Sequence, residues 1–172
     1  MSTTALAAVI VDRRLTARWG ALLGAVGQEF GLRVVPATKV FGAPVGLALE
    51  GDLDGLLLRM ARGRKTRHGP QMVWVEISGG LLPVTVVPGD GEQTPDSLDG
   101  SNGFLRVTEG RVQLESRLTA AGRKLLYSGV IERRWSLTSG RLMCPLIPTL
   151  WDIDELGELL RGAVELAGQL RG

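Results

Sequence analysis

The chain has a single cysteine, Cys144, a single histidine, His68, and a single tyrosine. One cysteine excludes an internal disulfide. With one histidine beside it, the cysteine and histidine sets of ordinary zinc sites cannot be assembled. The same scarcity removes most nucleophilic chemistry, because a cysteine nucleophile would have to borrow His68. Ser128, Ser136 and Ser139 stand in no G-x-S-x-G elbow. Long apolar runs are lacking too. "TTALAAVIV" is nine residues long, follows no basic segment and gives way at once to "DRR". It therefore reads as no signal peptide, and no stretch reaches the roughly 18 to 20 apolar residues of a membrane span. An excess of one charge is also missing: 20 basic against 18 acidic residues leave +2, too even a balance to indicate nucleic acid by itself. These absences point to a cytoplasmic, noncatalytic protein with no metal and no cofactor.

What is present is an ordinary globular composition, 44% hydrophobic and 22% charged, and 172 residues are enough for one domain with its own core. From Leu15, the spacing of Trp19, Leu22, Leu23, Val26 and Phe30 predicts an amphipathic helix that stops at Gly31. "LRVVPA", "VGLALEG", "LDGLLLRMA", "QMVWVEI" and "LPVTVVP" read as successive antiparallel strands, with "GDLDG" and "SGG" as hairpin-length turns. An acidic, Gly-rich loop follows over 88–103, a candidate mobile segment. "FLRVTEGRVQLE" resumes an extended run. Leu118, Ala121 and Leu125 mark a middle helix with Gly129 as its stop, and "RRWSLTSGRLMCPL" is a tight hairpin. Asp152, with Glu155 three residues on, caps a closing helix with a broad apolar face. The expectation is a single α+β domain over 1–172: an antiparallel sheet of about five to seven strands, with N-terminal, middle and C-terminal helices packed on it.

The series "WGALLGAVGQEFGLRVVP", "LALEGDLDGLLLRM", "MVWVEISGGLLPVTVVP" and "DELGELLRGAVELAGQL" resembles uncharacterised bacterial single-domain α+β proteins. Those share a helix ending in "GL", a strand with a Gly-containing turn and a terminal helix. The resemblance spans most of the chain and implies one compact domain. It implies no activity and no functional residue.

Two features carry the functional expectations. The closing helix places Leu156, Leu159, Ala163, Leu166 and Leu170 on an apolar face wider than one packing contact requires. They are the candidate protein interface of a noncatalytic protein-binding or adaptor module that self-associates. The alternative rests on the turn over 62–68, "RGRKTRH", where Arg62, Arg64, Lys65, Arg67 and His68 are candidate contacts for a nucleic acid or an anionic lipid surface. The glycines and lysine of this turn do not follow the P-loop order. Asp90, Glu92, Asp96 and Asp99 offer hard oxygen ligands without the spacing of a calcium loop.

Overall fold

The computed structural model describes residues 3–37, 46–63, 72–89, 97–100, 103–148 and 152–172. Every second residue of a strand faces the same side of its sheet. Leu56, Leu58 and Met60 accordingly point inward from one strand, β3 (Leu56–Arg62), while Leu57 points out. β3 pairs on one side with β2 (Leu47–Leu53), itself flanked by β1 (Arg33–Pro36), and on the other with β4 (Val73–Ser78). The β2–β3 turn is made by Asp54 and Gly55, both at positive φ (53° and 88°), the pair of left-handed residues that a two-residue hairpin needs.

The expectation of five to seven strands falls short. Among the described residues the sheet has nine strands in the order β1-β2-β3-β4-β9-β8-β5-β7-β6, where β5 is Thr85–Pro88, β6 Ser97–Gly100, β7 Gly103–Glu109, β8 Ser136–Thr138 and β9 Arg141–Leu146. All of its strand pairs are antiparallel. The "SGG" stretch joins no hairpin: β4 takes β9 as its neighbour, and β5 pairs instead with β7 and β8. β6 lies within the stretch expected to be a loop over 88–103, whose residues 90–96 and 101–102 lie outside the described residues.

Helix α1 (Thr3–Phe30) begins well before Leu15. The run "RVQLESR" is a short helix, α2 (Arg111–Arg117), rather than extended chain, and α3 (Ala120–Glu132) follows with Thr119 Oγ1 accepting from Gly122 N. Gly129 is buried inside α3 and does not end it. A Cβ there would run into the Trp135 ring, so the residue is glycine for close packing. Asp152 caps α4 (Ile153–Gln169), accepting from Glu155 N at 2.9 Å.

The helices share one face of the sheet. α1 lies against β1 and β2, α4 against β4 and β9, and α3 against β5 and β7, with α4 also touching α1 and α3. The core is the seam beneath them. Its inward rows include Leu49, Met60, Val75 and Cys144 in register across β2, β3, β4 and β9, all fully buried. No described helix is long and apolar enough to cross a membrane.

Candidate functional site

The opposite face of the sheet is where charge is organised. Residues directly opposed across antiparallel strands lie side by side on one face. The register Arg33↔Glu50, Glu50↔Arg59 and Arg59↔Glu76 therefore lays a row of alternating sign across β1 to β4. Cross-strand pairs hold it flat: Arg59 Nε to Glu50 Oε1 at 2.9 Å, and Arg141 Nε, reaching over from β9, to Glu76 Oε1 at 3.0 Å. Exposure is graded along the row. Arg33 is open to solvent and Glu50 half-buried, whereas the Arg59 and Glu76 side chains are only 12% and 8% exposed beneath their neighbours.

Parallel rows flank this one. On one side Val35, Ala48, Ala61 and Trp74 make an apolar line, with Val35 and Trp74 half-buried and the alanines closed off. On the other side Asp52, Leu57 and Ser78 are partners. Leu57 is 58% exposed, and Asp52 Oδ1 accepts from Gly55 N at 2.7 Å. Asp52, Leu57 and Ser78 line a shallow concavity of about 440 Å³ together with Arg33, Glu50, Arg59 and Glu76. This site was missed in the sequence, though a signal was there. "LALEGDL", "LLLRMAR" and "VWVEIS" each set a charged residue, Glu50, Arg59 and Glu76, between apolar ones, the mark of an outward position in an otherwise buried strand.

The structure does not bring the expected interface residues to the surface. Leu156, Leu159, Ala163, Leu166 and Leu170 are all buried within the chain. The reason is that α4 sits between α1 and α3 with β4 and β9 beneath it. Its wide apolar face is consumed by these four intramolecular neighbours, so none of the five is a surface contact.

The basic turn divides. Gly63 N donates to Met72 O at 2.9 Å and Arg62 pairs with Val73, so 64–71 does join two antiparallel strands. Arg64, Lys65, Arg67 and His68 lie outside the described residues. Arg62 is not part of a wet turn. It continues the inward alternation of Leu58 and Met60, is 4% exposed, and stands with its guanidinium 5.9 Å from the Trp19 ring centroid. Trp19 Nε1 in turn donates to Leu47 O at 2.9 Å.

A second cleft, of about 520 Å³, lies at the far end of β9 and is lined by Met72, Glu132, Arg133, Arg134, Leu146 and Ile147, among others. Arg134 holds a left-handed backbone, φ 59°. Cys144 is buried, and burial pushes its thiol pKa well above the ordinary value, only partly offset by the charge of Arg133. A thiol held protonated is a poor nucleophile. Among the described residues no three His, Cys, Asp or Glu side chains gather as a metal-binding group. Asp90, Glu92 and Asp96 lie outside those residues. No protein-family model, no curated protein and no solved structure matches this chain.

Proposed function

We propose that this chain is a cytoplasmic protein-binding module that docks a partner on the outward face of β1 to β4. The observation that carries the reading is the row Arg33, Glu50, Arg59, Glu76, whose inner members are fixed by bridges of 2.9 and 3.0 Å. A solvated sheet face ordinarily presents long side chains that move freely in water. Side chains already held in place lose little entropy on docking, and a fixed pattern of sign selects its partner and register. Leu57, 58% exposed beside the row, adds apolar contact. The buried, protonated state of the one thiol suits a reducing compartment.

The test is a photo-reactive residue in place of Leu57, compared with one in place of Glu165, which is exposed on α4 on the helix side. In the cells that make the protein, position 57 is expected to capture a discrete protein partner. Position 165 is not, and Arg59→Glu is expected to abolish the position-57 product. Equal capture from both positions, or a position-57 product indifferent to Arg59→Glu, contradicts the reading.

A second reading keeps the basic turn. Arg133 and Arg134 share the 520 Å³ cleft with Met72, the first described residue after the turn. Polyanion binding there predicts affinity for DNA, RNA or anionic vesicles that falls steeply with salt. The absence of binding at low salt contradicts it.

A further inference from the structure

β9 outruns the strand beside it. β8 pairs with it only as far as Ser136↔Met143, while β4 follows it to Val73↔Leu146. The 520 Å³ cleft opens at this end of β9, and Arg133 and Arg134, which lead from α3 into β8, form part of its wall. The rest of the wall is largely apolar, from Met72, Pro145, Leu146 and Ile147. Ile147 is 52% exposed, a large apolar side chain with room for a partner. The volume lies in the range of small-molecule sites.

The opening does not suit an added strand. In a two-residue hairpin the residues flanking the turn exchange both backbone bonds. Thr138 and Arg141 flank Ser139 and Gly140, so Arg141, Met143 and then residue 145 direct their backbone groups to the β8 side. Residue 145 is proline and has no N–H to give. The cleft offers side chains instead. Arg133 and Arg134 are both exposed, and neither guanidinium has a hydrogen-bond or ion-pair partner among the described residues. Arg134 holds φ 59°, a left-handed position just past a helix, where glycine is ordinary and arginine is strained. Strain of this kind collects where a side chain serves a ligand.

The carboxylates around the cleft limit what these cations can hold. Glu132 shares the wall, but its Oε2 accepts from Ser128 Oγ at 2.7 Å, which draws it back along α3. A smaller cleft of about 230 Å³ shares Arg133, Pro145 and Leu146 and runs on to α4, where Glu155 and Glu158 stand. The positive charge is therefore local and bounded by carboxylates on the α4 side. A run of phosphates would meet those carboxylates. A ligand with one anionic head and an apolar tail meets only the arginines and the apolar wall.

We infer that the cleft at the end of β9 binds a linear monocarboxylate of medium chain length. Its head lies on Arg133 and Arg134, whose planar forks match a carboxylate, and its tail lies along Met72, Leu146 and Ile147. The site is separate from the docking face of β1 to β4. It shares the cleft of the polyanion reading and differs from that reading in the ligand.

The probe is decanoate, titrated by calorimetry into the full chain below its micellar concentration, with decyltrimethylammonium and acetate as controls for head and tail. Decanoate is expected to bind saturably, and each control at least about tenfold more weakly. Arg134→Gly removes a head contact while glycine accepts the left-handed backbone, so the fold is expected to be kept and decanoate affinity to fall about tenfold. Should that variant fail to fold, as read by circular dichroism, Ile147→Asp decides. It sets a carboxylate beside the tail at an exposed position and is expected to weaken binding about tenfold as well. No saturable decanoate binding, equal binding of decyltrimethylammonium, or folded variants that bind as tightly as the native chain overturns the inference. If one of these holds while DNA or phosphatidylglycerol vesicles bind in an Arg134-dependent manner, the polyanion reading stands and the monocarboxylate does not. Decanoate binding with no affinity for DNA, RNA or vesicles upholds the inference and ends the polyanion reading.

Discussion

Arg141 crosses from β9 to Glu76 on β4, Nε to Oε1 at 3.0 Å, and closes the inner end of the outward charge row. The two ends of this bridge differ in environment, since Arg141 is 61% exposed and Glu76 only 8%. Removing the arginine leaves a covered carboxylate beside Arg59. Arg141→Ala is expected to cost about 1 kcal/mol, discounted for the open side of the pair. The loss shrinks in high salt, as screening weakens the bridge in the native chain. Denaturant midpoints at two ionic strengths measure it, and an unchanged midpoint at low salt would show that the bridge holds nothing.

Trp19 ties α1 to the start of β2 by donating Nε1 to Leu47 O at 2.9 Å, and its ring faces Arg62. Trp19→Phe keeps a ring and removes the donor. It is expected to destabilise by about 1–2 kcal/mol, the cost of leaving a covered carbonyl without that partner. Trp19→Leu also removes the aromatic face from the Arg62 guanidinium and should lose more. Equal stabilities of the two variants would show that the ring face contributes nothing to Arg62.

Gly129 tests packing against propensity. Alanine is about 1 kcal/mol better than glycine inside a helix. Here, however, its methyl would enter the Trp135 ring, and Trp135 N is itself bound to Gly129 O at 2.8 Å. Gly129→Ala is therefore expected to destabilise by about 1–3 kcal/mol, as overpacking does. A stabilised variant would mean that the Trp135 side of α3 yields easily.

Cys144 makes stability depend on pH at the alkaline end. Burial raises the folded thiol pKa above its unfolded value. The folded chain thus keeps a proton that the unfolded chain loses once pH passes the unfolded thiol pKa. The contribution is fully present below that value and is lost as pH rises above it. The native thiol should be inert to maleimide near neutral pH and react only on unfolding. Rapid labelling of the native chain would contradict this.

Much of the fold was legible because it is local. The Asp54–Gly55 and Ser139–Gly140 turns, with all four residues at positive φ, and the Asp152 cap follow from side chains within a few residues of one another. The β4–β9 pairing does not, because a short glycine linker such as "SGG" fits a hairpin as well as it fits a departure to a distant strand. Periodicity revealed that α4 has a wide apolar face, but it carries no information on which neighbours cover it. α1 and α3 do so from 123 or more residues away for α1 and from the preceding helix for α3. Arg62 was misread through its company: the basic residues after it suggested a turn, while the alternation Leu58, Met60, Arg62 already placed it inward. The outward row needed the register, which sets Glu50, Arg59 and Glu76 side by side.

The docking face is tested most directly by placing a second thiol on it. Because Cys144 is buried, Leu57→Cys provides one reactive group on the outward face, and Glu165→Cys provides one on the helix side as a control. Pulsed maleimide labelling is compared in buffer and in an extract of the cells that make the protein. The account predicts that the extract slows labelling at position 57 relative to position 165, and that Arg59→Glu removes the difference. Labelling at position 57 that is slowed no more than labelling at position 165 would contradict it.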